Sequence, residues 1–213
     1  MRKASFFLAV LIATSARAGT LTFTDGSFNP ADWSVTVRGS GTTTASQIPT
    51  GGNPDAFRQI TNNVTTMMWG YHMNNGAVYN PSAQGAITSI DYAEDAIVIA
   101  GSGNLGSGPA VMQGGKLFIK PDSFGQTTWT HKILTGLHGD SFFDPEGGPG
   151  PFQPNFSATG GPITFGFWRG NADGPYSMTT GIDNWSMTLN TVPEPALIGL
   201  VLFPVVALIS RRR

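Results

Sequence analysis

A chain of 213 residues with 28 glycines, 15 prolines and 12% charged residues has room for one medium-sized domain with its own core. Cysteine is absent, which excludes disulfide staples, thiol catalysis, thiolate zinc sites and iron–sulfur ligation. The formal charge of −1 conceals an acidic body: from Gly19 to Thr191 six Lys and Arg stand against twelve Asp and Glu, a balance that offers a phosphate backbone no counterion release and excludes nucleic acid as a partner.

In chain order, residues 1–18 come first. A basic start at Arg2 and Lys3, the apolar run ASFFLAVLIA and the small residues Ala16 and Ala18 follow the plan of a secretory signal peptide. Signal peptidase is therefore an expected partner, and the mature chain begins near Gly19.

Residues 19–191 then read as one domain of short strands broken by Gly, Pro, Asn and Ser. TLTF puts Leu21 and Phe23 on one face, and WSVTV does the same for Trp33, Val35 and Val37. ITFGF aligns Ile163, Phe165 and Phe167, and WSMTL aligns Trp185, Met187 and Leu189. Alternation with period two marks strands with one buried face. A helical spacing is carried by Phe57, Ile60 and Val64. In MMWGYHM a strand places Met67, Trp69, Tyr71 and Met73 on one face, an apolar stripe that reads as core. GSGNLGSG, residues 101–108, lacks the Gly-Lys-Ser/Thr ending of a phosphate loop and reads as a connection between strands. Residues 141–162, rich in Pro and Gly, read as an exposed loop at one end. The expected fold is all-β, an antiparallel β-sandwich of jelly-roll type. FTDGSFNPADWSV and TTGIDNWSMTL resemble the opening and closing strands of jelly-roll domains, similar to concanavalin-like and carbohydrate-binding modules.

Chemistry has few candidates. Paired carboxylates for glycan cleavage would come from Asp91, Glu94 and Asp95, or from Asp140, Asp144 and Glu146, but neither group has the spacing that sets three acids on one strand face. Asp140, Asp144 and Glu146 lie among glycines and are the candidate calcium ligands, since calcium takes carboxylate and carbonyl oxygens from loops; no other cofactor is expected. His72, His131 and His138 are too scattered for a transition-metal site. Trp168, Arg169 and Tyr176 are the candidate ligand contacts, because aromatic faces stack on sugar rings.

The chain ends VPEPALIGLVLFPVVALISRRR. Residues 196–210 are uncharged and span ~22 Å as a helix, short of a bilayer core of roughly 30 Å. Arg211, Arg212 and Arg213 form a cytoplasmic stop by the positive-inside rule. The motif Pro193, Glu194 and Pro195, the span and the basic end resemble the PEP-CTERM sorting signal of Gram-negative bacteria, here residues 192–213 with the motif at 192–195. The resemblance implies recognition by an exosortase, a pause in the inner membrane on a transmembrane helix, cleavage near the motif, and transfer to the cell surface or extracellular matrix. The expected function is that of an exported, non-enzymatic surface or matrix protein. The alternative is a secreted carbohydrate-binding module with extracellular polysaccharide as partner, and a glycan-cleaving enzyme is the third reading.

Overall fold

The computed structural model describes residues 18–192. Residues 1–17 of the expected signal peptide, the motif residues 193–195, the expected span 196–210 and the arginines 211–213 lie outside the described residues.

Among the described residues nine strands make one antiparallel system: β1 (Gly19–Asp25), β2 (Trp33–Ile48), β3 (Phe57–Tyr79), β4 (Ala86–Ala100), β5 (Asn104–Gln113), β6 (Lys116–Ile119), β7 (Thr130–Leu137), β8 (Ile163–Ala172) and β9 (Tyr176–Val192). A one-turn helix α1 (Pro81–Gln84), capped by the Asn80 side chain, joins β3 to β4. The hydrogen-bonded order is β6-β5-β8-β3-β9-β4-β7, with β1 added to β9 and β2 to β3.

Two strands are long enough to belong to both halves. The first part of β3, Arg58–Val64, pairs with β9, and its second part, from Met68, pairs with β8. In turn, β9 gives Tyr176–Ile182 to β3 and Trp185–Thr191 to β1. The system thus folds into a front layer β6-β5-β8-β3-β2 facing a back layer β7-β4-β9-β1, a sandwich-like arrangement. Inward residues of the front, Val111, Phe118, Phe165 and Phe167, meet Ile90, Met187 and Leu189 of the back in one buried cluster. Aromatic contacts bind its open end: the Trp33 ring lies 5.2 Å from Trp185 and 5.3 Å from Phe167. Interdigitated side chains of two inner faces are what hold such layers together.

The two stretches that resemble jelly-roll ends tie down their corners. In FTDGSFNPADW the Asp25 carboxylate accepts from the backbone N–H of Ser27 and Phe28, both at 2.8 Å, and from the Trp33 indole at 2.7 Å, an Asx-type turn that docks the tryptophan. In TTGIDNW the Asp183 carboxylate accepts from Asn53 N–H at 2.5 Å and Asn184 N–H at 2.7 Å.

Three expectations change. Phe57, Ile60 and Val64 lie in β3, where residues 58, 60, 62 and 64 are buried in alternation; Arg58 and Asn62 occupy inward positions, and their polarity hid the period of two. Of residues 101–108 only 101–103 form a connection, because 104–108 are already β5. The loop 141–162 is anchored: Phe142 is fully buried, Phe156 is 6% exposed, and Gln113 Nε2 donates to the carbonyls of Asn155 at 3.0 Å and Gly161 at 2.9 Å. Its aromatic residues supply the apolar surface that closes the sandwich end, which its Pro and Gly content obscured.

Inside the sandwich one ion pair crosses from layer to layer. Arg169 Nη2 of β8 donates to Glu94 Oε2 of β4 at 2.7 Å with both side chains 0% exposed, and the Tyr92 hydroxyl donates to the same oxygen at 2.8 Å. His72 stacks in parallel on Phe167, with ring centroids 4.6 Å apart. Burial against Trp33 lowers the Arg58 guanidinium to about 10, with Asp25 opposing the shift.

Candidate functional site

The front layer carries a second apolar cluster on its outer face, built from Tyr71 and Met73 of β3, Trp168 of β8, Ala110 of β5, and Leu117 and Ile119 of β6, with Trp69 packed against it. Register explains the grouping. Trp69 is opposite Gly170, which is opposite Gly106; one step along, Tyr71 is opposite Trp168, which is opposite Gly108. Paired residues of an antiparallel sheet share a face, so two tryptophans and a tyrosine stand beside a run of glycines.

Those glycines are the seat of the indole. A Cβ on Gly106 would lie 2.5 Å from Trp168 Cη2, and one on Gly170 would lie 2.4 Å from Trp168 Cζ3 and 3.1 Å from Trp69 Cδ1. The Trp168 ring therefore lies flat over the β5 and β8 backbone, and its Nε1 donates to the Lys120 carbonyl at 3.2 Å. Aromatic cover over sheet glycines fixes both register and ring.

Beside this seat is a groove of about 280 Å³ whose lining includes Met67, Trp69, Gly106, Trp168, Asn104 and Ala172. That volume is near the lower end of the ~300–1,000 Å³ of small-molecule sites. Trp69 is half-buried, with an open flank, while Trp168 is 5% exposed and acts as the floor. The Tyr176 hydroxyl anchors the far end by donating to the carbonyls of Asn104 at 2.8 Å and Ala172 at 2.9 Å. The Asn104 amide donates to Asp173. The lining holds no Asp, Glu, Lys or Arg. An apolar shelf edged by amides and carbonyls suits an uncharged ring that has one apolar face and hydroxyls at its rim.

The residues singled out from sequence divide accordingly. Trp168 lines this groove, in the middle of a strand rather than near a loop, whereas Tyr176 is not among the lining residues and reaches it only through its hydrogen bonds to the Asn104 and Ala172 carbonyls. Arg169 does not join them, because neighbours on a strand point to opposite faces; it faces inward and bonds Glu94. Trp69, read as core, is a half-buried wall of the groove. The sequence signal bearing on it is Trp-x-Gly at 168–170, whose Gly170 is the register partner of Trp69.

The acids are engaged elsewhere. Lys116 Nζ lies 2.8 Å from Asp144 Oδ2, and Arg38 Nε lies 3.1 Å from Glu146 Oε1, so the expected calcium carboxylates already face cations, while Asp140 sits on an exposed turn. Among the described residues no group of three or more His, Cys, Asp or Glu is placed to hold a metal ion. Asp91 accepts from Gly136 N–H at 2.8 Å, Glu94 is buried in its ion pair, and Asp95 accepts from Asn184 Nδ2 at 2.7 Å and meets His131 Nδ1 at 2.6 Å.

The chain matches no protein-family model and no characterised protein sequence. Among solved structures it is similar to the family 11 carbohydrate-binding module from Clostridium thermocellum in complex with a beta-1,3-1,4-mixed-linked tetrasaccharide, at 13% identity over 85% of this chain and 99% of that one, TM-score 0.47. It is similar also to TmCBM27, a carbohydrate-binding module of specific mannan recognition, at 10% identity over 83% of this chain and 100% of that one, TM-score 0.47. With a module from the β-sandwich superfamily of promiscuous carbohydrate specificity the identity is 8%, over 74% of this chain and 57% of that one, TM-score 0.47.

Proposed function

We propose that the body of this chain is a non-catalytic glycan-binding module that takes an uncharged sugar ring in the Trp69–Trp168 groove. The observation that carries the reading is the seat of Trp168 on Gly106 and Gly170, with Trp69 beside it. Two indoles fixed on rigid strands offer a preformed stacking surface, so little side-chain entropy is lost when a ring settles on it. Of the candidate carboxylates, Asp91, Glu94, Asp95, Asp144 and Glu146 are held in ion pairs or hydrogen bonds away from the groove, which fits binding rather than cleavage.

The ends of the sequence assign the module an address. The signal-peptide plan of residues 1–18 and the PEP-CTERM-like residues 192–213 support export across the inner membrane, a membrane-held intermediate, and release by an exosortase to the cell surface or matrix. There a glycan-binding body would attach the protein to extracellular polysaccharide.

Electrophoresis through gels cast with neutral polysaccharides tests the binding. The mature protein is retarded by at least one polymer, and Trp69→Ala, which removes the half-buried groove wall and leaves the inter-layer core untouched, runs as in a blank gel. Equal retardation of both proteins would remove the groove from the function.

A further inference from the structure

The outer face continues past the groove. One step along β3 from Trp69, Tyr71 extends the aromatic row, yet it is fully buried and its hydroxyl has no hydrogen-bond partner. A buried hydroxyl left unpaired is costly and calls for an occupant. What covers it is the start of the long loop. Phe143 packs onto the cluster that holds Tyr71, Leu117 and Ile119, and Glu146 reaches across to Arg38, the register partner of Trp69. In the β2–β3 register Arg38 pairs with Trp69 and Thr36 with Tyr71, so Arg38 stands on the same outer face one step from the tyrosine; burial first, then Glu146 and Asp144, push the Tyr71 phenol upward in pKa while Arg38 pulls it down.

The cover is held unevenly. Asp144 is fixed by Lys116 at 2.8 Å and by the N–H groups of Glu146 and Gly148 at 2.9 and 3.1 Å. Beyond it the Arg38 and Glu146 side chains are 45% and 41% exposed, the kind of ion pair that contributes little to stability. Gly147 and Gly148 have nothing within 4 Å of where a Cβ would stand, so the turn that bears Glu146 is held by its own hydrogen bonds and by Lys116, which donates to the Gly148 and Pro149 carbonyls, and not by side-chain packing at those glycines.

We propose that Tyr71 and Arg38 form a second subsite of the same face, masked by Glu146. A glycan longer than the groove displaces the Glu146 carboxylate from Arg38, sets its next ring beyond Trp69, and supplies the Tyr71 hydroxyl with the partner it lacks. The carboxylate oxygens of Glu146 stand where ligand hydroxyls would accept from the guanidinium. This subsite rests on the glycan reading of the groove.

Two readouts on the mature protein test it, one without any sugar. Tetranitromethane nitration, mapped by peptide mass, reports the accessibility of each tyrosine, with buried Tyr79 and Tyr92 as internal controls. Glu146→Gln raises the nitration rate of Tyr71 severalfold, and a neutral oligosaccharide protects it again. In titrations, the gain in affinity from a one-ring to a three-ring ligand shrinks by about five- to tenfold in Tyr71→Phe, the loss of one buried hydrogen bond. Unchanged Tyr71 nitration in Glu146→Gln beside intact glycan binding overturns the subsite alone. Absence of binding to any glycan, in a protein whose Tyr71 opens as expected, overturns the groove reading and the subsite with it.

Discussion

The six-membered ring of Trp168 rests directly on Gly170, where an added Cβ would sit 2.4 Å from Cζ3. Gly170→Ala must therefore push the indole off its seat, because the backbone on the other side cannot yield. Overpacking of this kind costs about 1–3 kcal/mol. The urea midpoint falls accordingly, and polysaccharide binding weakens at the same time, since the groove floor has moved. A variant with wild-type stability and affinity would show that the ring is not seated as described.

The Arg169–Glu94 pair sets a contrast with the surface pair Arg38–Glu146. Both are close, at 2.7 and 3.1 Å, but only the first is fully buried. Glu94→Ala leaves a guanidinium uncompensated in the core and costs about 3–5 kcal/mol. Arg38→Gln, at the surface, changes stability by about 1 kcal/mol or less. Equilibrium unfolding of the two variants checks both figures, and equal losses would refute the distinction.

His72 gives the fold a pH dependence with a definite sign. Burial, then Arg58 and Arg169, hold its pKa well below the ordinary 6.5, and neither ring nitrogen has a partner. The folded state keeps the ring neutral, whereas the unfolded chain protonates it below 6.5. Its contribution is fully present above that pH and is lost as pH falls, at about 1.4 kcal/mol per unit once below about pH 6. Asp183, raised by burial, acts with the opposite sign in a window that opens at 3.8, so the comparison must hold it constant. His72→Phe does so and preserves the stack on Phe167; between pH 6.5 and 5 its stability slope is flatter than that of the wild type. Parallel slopes would mean that His72 is protonated in the folded protein.

The sorting proposal makes a prediction of mass. Protein isolated from external fractions of its native host begins near Gly19 and ends near Pro193–Pro195, having lost residues 196–213. Mature external protein that still carries Arg213 would exclude exosortase processing.

Strands whose inward residues are all apolar were legible in the sequence. Ile163, Phe165 and Phe167, and likewise Trp185, Met187 and Leu189, are each at most 1% exposed. Where Arg58, Asn62, His72 and Arg169 point inward, alternation failed, because a pattern of hydrophobicity cannot register polar groups buried among aromatic rings. The groove was half legible. Trp168 stood out as an aromatic, but Trp69 joins it only through the pairing of β3, β8 and β5, and that register is set by contacts about 60 to 100 residues apart in the chain. The neighbour rule on strands would have turned Arg169 inward once Trp168 was placed outward.

The most direct measurement is to follow the five tryptophan indole N–H signals of the ¹⁵N-labelled mature protein by NMR while adding a neutral oligosaccharide. Trp33, Trp129 and Trp185 lie away from the groove, with the first two bonded to Asp25 and to the Gly51 carbonyl. If the groove is the site, the Trp69 and Trp168 signals shift in a saturable manner and the other three hold still. Shifts confined to Trp33, Trp129 or Trp185, or no shift with any neutral glycan, would show that this face does not bind sugar.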